Sequence, residues 1–261
     1  MQFTKMQGLG NDYIYIYGSP ENPEELSIKL SERHFGIGSD GIVLISPSDV
    51  ADFKMRIFNA DGSEAKMCGN GIRCVGKYVY DKGYTDKQLI TVETLSGIKT
   101  LDMTVEDGSV KEVSVQMGKA EVSNDLTLTV DGKKVLMTPV SVGNPHAVIF
   151  VDDAEAAPVA ELGRKIETHE RFPDGVNVEF VEVLSDNSLR MRVWERGSGI
   201  TMACGTGACA SVAAAAAQTF CHKNEFVSVM LDGGTLKIKI DDEGEVTMVG
   251  PAEISFEGEI M

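Results

Sequence analysis

The stretch Met67–Cys74, MCGNGIRC, decides how this sequence folds, because a second version of it, ACGTGAC (Ala203–Cys209), follows 136 residues later. In both stretches a cysteine precedes a glycine, a polar residue and a second glycine. After the first turn Ile72, Val75 and Val79 fall on one stripe of a helix, and after the second almost all residues are small; both patterns are typical of a buried helix. A single cysteine turn is weak evidence, since it could be a tight turn with a small buried thiol.

The repetition extends well beyond the two cysteine turns. Arginine and cysteine are 12 residues apart in both halves, as Arg56 and Cys68 and as Arg192 and Cys204. Three further pairs of landmarks keep the same order: Asn59 and Glu195, 9 residues before their cysteine; Gly41 and Asn177, 27 before; Asn11 and Asn144, 57 and 60 before. This order predicts two similar halves related by pseudo-twofold symmetry, residues 1–117 and 118–249, with residues 250–261 returning to the first half.

Short strands dominate the rest of the chain. Aromatic and β-branched runs such as Tyr13–Tyr17 (YIYIY), separated by Asp-Gly and Glu-Gly turns, are typical of a mostly antiparallel sheet. Four helices are predicted: Pro23–His34, Gly69–Asp81, Ala156–His169 and Gly205–Phe220. The two that follow the cysteine turns should be largely buried, and the charged other two should lie on the surface. The predicted class is α+β.

Composition excludes several classes of function. A net charge of −16 without a Lys/Arg block argues against binding to nucleic acid or to an anionic membrane. No apolar signal segment opens the sequence, and the alanine-rich run Ala203–Ala217 is too short to span a bilayer, so a cytoplasmic protein is expected. Five cysteines indicate reduced thiols, and their spacing together with four scattered histidines does not fit a metal site.

A cysteine at a helix start has a defined chemistry. The helix dipole and the unbonded backbone N–H groups should lower the pKa of the thiol, and the same groups can hold a carboxylate. Two such helix starts facing each other would place one sulfur on either side of a ligand. Inverting a carbon stereocentre needs a base on one face and an acid on the other, which a thiolate and a thiol can supply.

The motifs GLGNDY, FNADGSEAKMCGNGIRC, SVGNPHAV, GVNVEF and RVWERGSGITMACGTGA together resemble the diaminopimelate epimerase family, from residue 8 to about 215. The resemblance implies two barrel-like halves, each with an eight-stranded sheet around a central helix, and an active site between them. It implies epimerisation of LL- to meso-diaminopimelate for lysine and peptidoglycan precursor synthesis, without metal or cofactor, by a homodimer.

The resemblance also implies roles for individual residues. Cys68 and Cys204 would be the acid/base pair, assisted by His146 and Glu195. The substrate would be bound by asparagines, helix-start residues and the Glu-Arg pair: Asn11, Asn59, Gly69, Asn70, Asn144, Asn177, Glu195, Arg196, Gly205 and Thr206. The sequence departs from the family at Gly41, where a glutamine is frequent, and at Phe256, where a tyrosine associated with dimer packing is frequent.

Other interpretations stay open at this point. His146 and each asparagine could be ordinary loop or turn residues, and Cys74, Cys209 and Cys221 are best explained as structural thiols. A proline or hydroxyproline racemase would use the same architecture with a hydrophobic pocket for a ring. A non-catalytic amino-acid-binding or thiol redox protein would need neither Cys68 nor Cys204 for ligand binding.

Overall fold

A computed structural model describes residues 1–260, and within this range it contains four helices and nineteen strands. The chain forms two compact units. One comprises Met1–Gln116 with the segment from Val249 onward, and the other comprises Met117–Met248.

The first unit alternates strands with two helices. Its elements in chain order are β1 (Gln2–Gly8), β2 (Asn11–Tyr17), α1 (Pro23–Ser31), β3 (Gly41–Ser46), β4 (Phe53–Asn59), β5 (Glu64–Ala65), α2 (Gly69–Asp81), β6 (Leu89–Thr94), β7 (Gly97–Glu106) and β8 (Ser109–Lys119). Strand β2 pairs in parallel with β3, and β4 pairs in parallel with β6, so α1 and α2 are the crossover helices. The remaining neighbours in this unit, such as β3 and β4, are antiparallel.

The second unit repeats this order of elements. It contains β9 (Glu121–Val122), β10 (Leu126–Val130), β11 (Lys133–Ser141), β12 (Pro145–Phe150), α3 (Val159–Glu167), β13 (Asn177–Ser185), β14 (Ser188–Glu195), β15 (Gly199–Ile200), α4 (Gly205–Ala217), β16 (Phe226–Leu231), β17 (Gly234–Ile240) and β18 (Glu245–Pro251). Here β12 pairs in parallel with β13, and β14 with β16, across α3 and α4. The chain ends with β19 (Glu253–Glu259), which pairs with β1.

Strand β12 and the first half of β13 are buried on both faces, because they lie between the amphipathic helix α3 and the cysteine-turn helix α4. One face of β12 and β13 packs on α3 through Ile149, Phe180 and Ile166, while α4 contacts the same two strands from the other side. This explains why these strands are almost continuously apolar instead of alternating. The expected burial of the two cysteine-turn helices is confirmed, since most of α2 and α4 is inaccessible to solvent.

The predictions differ from the structure mainly at element ends. Helix α1 ends at Ser31, three residues earlier than predicted, because Glu32 adopts an extended ψ of 123°. Helix α4 ends at Ala217 and not at Phe220, since Thr219 takes a positive φ of 61°. Helix α3 begins only after Pro158 and ends at Glu167, inside the predicted 156–169. Five strands were not predicted: β1, β19 and the two-residue strands β5, β9 and β15.

Within residues 1–260, no helix is both long and apolar enough to cross a membrane. The same residues contain no cluster of three or more histidine, cysteine or acidic side chains arranged to hold a metal ion.

Candidate active site

Cys68 is the N-cap residue of α2. Its backbone is extended (φ −134°, ψ 118°), and its sulfur accepts a hydrogen bond from the backbone N–H of Gly71 at 3.3 Å. A helix start leaves N–H groups directed away from the helix, which favours an anion at this place. The sequence therefore puts a half-buried sulfur at the positive end of a buried helix, as expected.

Asn11, at the start of β2, links Cys68 to a carboxylate. The Cys68 thiol donates to Asn11 Oδ1 at 3.2 Å, and Asn11 Nδ2 donates to Asp40 Oδ2 at 2.8 Å. Burial raises the pKa of Asp40, and the nearby Asp12 carboxylate adds to this, while hydrogen bonds from Asn11 and the Asp12 backbone and the charge of Arg33 lower it. The amide is thus held in one orientation between the thiol and Asp40.

The other predicted residues of the first unit have different partners. Asn59 Nδ2 donates to Ser63 Oγ at 3.0 Å, within the turn that follows β4. Asn70 and Gly69 lie in the buried first turn of α2, where the guanidinium of Arg73 donates to Asn70 Oδ1 and to the Gly69 carbonyl, both at 3.1 Å. The fully buried Arg73 also donates to the Pro251 carbonyl at 3.1 Å, so it fixes the helix start to the returning segment, from Val249 onward, of the same unit.

The glycine at position 41 is required by the local backbone. Its φ is +157°, and a Cβ added there would lie 2.1 Å from the Phe58 carbonyl oxygen. That separation is far inside van der Waals contact, so this backbone excludes a glutamine side chain at position 41. The glycine at position 41, where a glutamine is frequent in the resembling family, therefore lies where β3 and β4 pair closely.

Cys204 is the N-cap residue of α4 and repeats the geometry of Cys68. Its φ and ψ are −118° and 108°, and its sulfur accepts from the Gly207 N–H at 3.3 Å. The Thr206 hydroxyl lies 3.6 Å from the same sulfur. Cys204 is only 5% exposed, whereas Cys68 is half-buried.

The expectation that the helix start lowers the thiol pKa is wrong for Cys204. Burial raises the pKa of Cys204 well above its usual value, and the carboxylates of Glu195 and Glu179 raise it further. The hydrogen bonds from Thr206 and from the Gly207 N–H lower it, but they do not outweigh the loss of hydration and the two negative charges. Cys204 is thus a neutral thiol near pH 7.

Glu195, at the end of β14, lies beside Cys204. Burial raises the pKa of Glu195 and Glu179 raises it further, while hydrogen bonds from Thr201 and Cys204 and the nearby His146 lower it. The Thr201 hydroxyl donates to Glu195 Oε1 and fixes the carboxylate. A carboxylate with a raised pKa next to a thiol is a group suited to exchanging a proton with it.

His146 is buried on β12 and lies between two oxygens. Its Nδ1 lies 2.7 Å from Glu179 Oε1, and its Nε2 lies 3.0 Å from Asn144 Oδ1. Asn144 Nδ2 in turn donates to Thr206 Oγ1 at 3.2 Å. The structure therefore brings His146 and Asn144 together with Thr206, beside Cys204.

Asn177 and Arg196 form a separate pair in this unit. Asn177 Nδ2 donates to the Pro145 carbonyl at 3.0 Å, and its Oδ1 accepts from the Arg196 backbone N–H at 3.0 Å. The exposed Arg196 side chain donates to the Asp174 carbonyl at 3.0 Å. Asn177 thus fixes the turn that carries Arg196, and the guanidinium keeps further donors for a carboxylate.

Sequence reasoning missed two carboxylates of these sites, Asp40 and Glu179. Glu179 is fully buried at the centre of the apolar strand β13, where a charged residue is costly unless it is paired. An acidic residue inside VNVEF was the available signal for Glu179. Asp40 comes directly before β3 in GSDG, a setting that also fits an ordinary turn.

Each unit thus contains a sulfur at a helix start, a backbone N–H donor to it, and an asparagine that belongs to the same hydrogen-bonded group. Such a group can stabilise a thiolate and hold a carboxylate of a small molecule. The second unit adds a carboxylate, Glu195, that can exchange a proton with its cysteine. This chemistry fits the transfer of a proton to or from carbon.

Comparisons with known proteins agree with this assignment. The family model for diaminopimelate epimerase matches residues 3–123 and 138–255. Diaminopimelate epimerases of Phocaeicola vulgatus and Methanococcus maripaludis are 54% and 52% identical to the chain, over 100% of it and over 98% and 99% of their own lengths.

Solved structures with low identity share the fold. A Bacillus anthracis phenazine biosynthesis protein of the PhzF family matches with a TM-score of 0.80 at 15% identity, covering 100% of the chain and 99% of that protein. A probable proline racemase from Agrobacterium radiobacter matches with a TM-score of 0.78 at 18% identity, covering 100% and 92%. The predicted α+β fold class and the predicted resemblance are both confirmed, and the chain belongs to the diaminopimelate epimerase family.

Proposed function

We propose that this protein interconverts LL- and meso-diaminopimelate without a metal or an organic cofactor. In this proposal Cys68 and Cys204 act on opposite faces of the substrate α-carbon. The observation that carries the proposal is the matched geometry of the two cysteines. Each is the N-cap of a buried helix, and each sulfur accepts a backbone N–H at 3.3 Å.

The proposed reaction moves one proton off the α-carbon and another onto it. One cysteine, as thiolate, removes the α-proton, and the other, as thiol, protonates the opposite face; the roles reverse for the reverse reaction. The resting state of Cys204 is the thiol, because burial and two carboxylates raise its pKa. Glu195 and His146 assist Cys204, and the raised pKa of Glu195 suits it to accept the thiol proton.

Substrate binding is proposed to use both helix starts and the asparagines. The backbone N–H groups of Gly69, Asn70, Gly205 and Thr206 would stabilise the α-carboxylate and the negative charge that develops when the α-proton leaves. Arg196 would pair with a carboxylate. Four amides would bind the remaining polar ends of the substrate: Asn11, Asn59, Asn144 and Asn177. An amide both donates and accepts, so each can serve an ammonium or a carboxylate group beyond its internal bond.

Turnover of defined substrates tests the proposal. The purified protein is incubated with LL-diaminopimelate, L-proline and trans-4-hydroxy-L-proline under reducing conditions, and the stereoisomers are separated by chiral chromatography. We expect conversion of diaminopimelate only. Cys68→Ala and Cys204→Ala should each abolish it, while Cys221→Ala, a matched cysteine outside both helix starts, should retain it.

Two outcomes would contradict the proposal. Racemisation of proline or hydroxyproline without conversion of diaminopimelate would assign the protein to a different substrate. Tight binding of diaminopimelate that is unchanged in Cys68→Ala and Cys204→Ala, without turnover, would indicate a non-catalytic binding protein.

We also propose that the protein is a homodimer. An apolar cavity of about 420 Å³ lies between the end of α1 and β19, and it is lined by Phe35 and Phe256 among others. Phe35 is 93% exposed and Phe256 is 48% exposed, which is unusual for large apolar side chains. Sedimentation should show a dimer that Phe256→Asp weakens, whereas a monomeric wild-type protein would contradict the proposal.

The proposed cellular role is the synthesis of lysine and peptidoglycan precursors in the cytoplasm. Expression should restore growth, without added meso-diaminopimelate, to a bacterium that lacks its own epimerase. A catalytically active protein that accumulates in the cytoplasm but fails to restore growth would contradict this role.

A further inference from the structure

Glu179 is a buried carboxylate that the proposed reaction does not yet use. Its side chain is fully inaccessible to solvent. One oxygen, Oε1, lies 2.7 Å from His146 Nδ1, and the other, Oε2, has no hydrogen-bond partner among the described residues. A buried carboxylate with one partner needs that partner to be a strong donor, because an unpaired buried charge is costly.

Hydrogen-bond donors and acceptors run in one direction from Glu179 to Cys204. Asn144 Nδ2 donates to Thr206 Oγ1, so Asn144 Oδ1 faces His146 Nε2 as an acceptor. His146 therefore carries a proton on Nε2. Its Nδ1 lies 2.7 Å from Glu179 Oε1, so the Glu179 carboxyl group holds the opposite edge of the same ring.

This direction determines what the Thr206 hydroxyl does. Its oxygen already accepts from Asn144, so its own proton is available for the sulfur of Cys204 at 3.6 Å. Together with the Gly207 N–H, the hydroxyl then gives the sulfur two donors. Both stabilise the thiolate form of Cys204 against burial and the charges of Glu195 and Glu179.

We propose that Glu179 is a positioning residue for the epimerase reaction: by holding the His146 ring with its Nε2–H toward Asn144 Oδ1, it sets the Asn144 amide so that the Thr206 hydroxyl donates to the Cys204 thiolate. The inference rests on the proposed role of Cys204. It adds that the stability of the Cys204 thiolate depends on Glu179, which lies on a different strand from Glu195 and is linked to Thr206 through three hydrogen bonds.

Replacing Glu179 with glutamine should reverse the direction of the hydrogen bonds that link His146 to Thr206. In this variant we expect His146 Nδ1–H to donate to the glutamine oxygen, so that Nε2 becomes an acceptor. The Asn144 amide then turns its Nδ2 toward Nε2, and the Thr206 hydroxyl donates to Oδ1 and no longer to Cys204. The sulfur keeps only the Gly207 N–H.

A competing view treats Glu179 only as a negative charge near Cys204. The titratable groups that face this sulfur are Glu195 on β14 and Glu179 on β13, with His146 on β12 behind them. If Glu179 acted only through its charge, its removal would make the thiolate of Cys204 easier to form. The two views therefore predict changes of opposite sign.

The test is the rate at which iodoacetamide alkylates Cys204 at pH 8, without substrate, followed by peptide mass spectrometry. The variants are Glu179→Gln, Thr206→Val and the double variant. Loss of one hydrogen bond to the sulfur should slow alkylation about fivefold in either single variant. Because both remove the same donor, the double variant should be no slower than the singles. The matched control is Glu182→Gln, on the same strand, where the carboxylate accepts from the Ala154 N–H.

Several results would overturn the proposal. Alkylation that is unchanged or faster in Glu179→Gln would favour the charge-only view, and additive effects in the double variant would show that Thr206 and Glu179 act independently. Thr206→Val carries the test if Glu179→Gln does not fold. Because the assay contains no substrate, its result is separate from the identity of the substrate. In turnover, Glu179→Gln should lower kcat with KM within about twofold, since the Glu179 side chain is fully buried and is linked to the sulfur through other residues.

Discussion

Replacing the second glycine of each cysteine turn with alanine should affect the two units very differently. Gly71 and Gly207 occupy the same position in α2 and α4, and the N–H of each donates to its N-cap sulfur. Alanine keeps this N–H and favours the helix by about 0.5–1 kcal/mol over glycine. The difference between the two variants therefore reports what the new methyl group contacts.

At Gly207 the methyl group meets the buried carboxylate. A Cβ there would lie 2.7 Å from Glu179 Oε1, an atom held at 2.7 Å by His146. Forcing a group into a packed interior costs about 1–3 kcal/mol. After the helix gain is subtracted, Gly207→Ala should lower the free energy of unfolding by about 0–2.5 kcal/mol, with a midpoint of about 1.2 kcal/mol.

At Gly71 the methyl group meets a flexible side chain. The nearest atom is Met55 Cε at 3.3 Å, followed by Cβ of Cys68 at 3.4 Å. Methionine adapts to changes in packing, so the helix gain should balance the contact. Gly71→Ala should change the free energy of unfolding by less than about 0.5 kcal/mol.

Urea unfolding followed by circular dichroism measures the stability difference, and turnover of diaminopimelate measures the functional one. Displacement of Glu179 and His146 in Gly207→Ala should lower kcat about tenfold or more, since small misplacements in a site cost large factors. Equal stability and equal activity of Gly71→Ala and Gly207→Ala would refute the tight packing of Gly207 on Glu179.

Three other predictions use different observations. Iodoacetamide at pH 7.5 should modify Cys68 before Cys204, and the alkylation rate of Cys204 should still rise between pH 8 and 9, because a raised pKa delays formation of the thiolate. Peptide mapping that finds Cys204 modified first, or an alkylation rate of Cys204 that does not change above pH 8, would contradict this. Gly41→Ala should lower the free energy of unfolding by about 2 kcal/mol or more, because its Cβ would lie 2.1 Å from the Phe58 carbonyl oxygen; an unchanged urea midpoint would show that β3 adjusts freely. Arg196→Lys should raise KM about tenfold with a smaller change in kcat, because lysine cannot bind a carboxylate through two parallel hydrogen bonds. Unchanged kcat and KM would show that Arg196 does not bind the substrate.

The strands and helices could be predicted where one physical signal dominated. Tyr13–Tyr17 is aromatic or β-branched throughout because β2 is largely buried, and the two cysteine turns lead into long helices that are largely buried. Strand β1 was missed because it contains a lysine, Lys5, that is only 6% exposed and pairs with Asp12 across the strands at 2.5 Å. A buried ion pair makes a strand look polar, and its partner cannot be identified from local sequence.

The site could be predicted at its cysteines but not in its electrostatics. A Cys-Gly-x-Gly turn before a helix fixes the N-cap position of Cys204, and the structure has the sulfur there. Its pKa depends on Glu195 and Glu179, which lie 9 and 25 residues earlier in the chain and approach it only through the pairing of β13 with β14. The helix start alone therefore gave the wrong direction for the pKa of Cys204.

The most direct test of the two-cysteine reaction is the position of deuterium at early times. LL-diaminopimelate is incubated in deuterated water, and after a few per cent of conversion the product and the recovered substrate are separated and analysed by mass spectrometry. If one sulfur removes the α-proton and the other delivers a solvent-derived one, the meso product should carry one deuterium at the inverted carbon while the recovered LL substrate carries almost none. A product that keeps its original α-hydrogen would mean that a single group acts on both faces, and the assignment of Cys68 and Cys204 as an acid/base pair would be wrong.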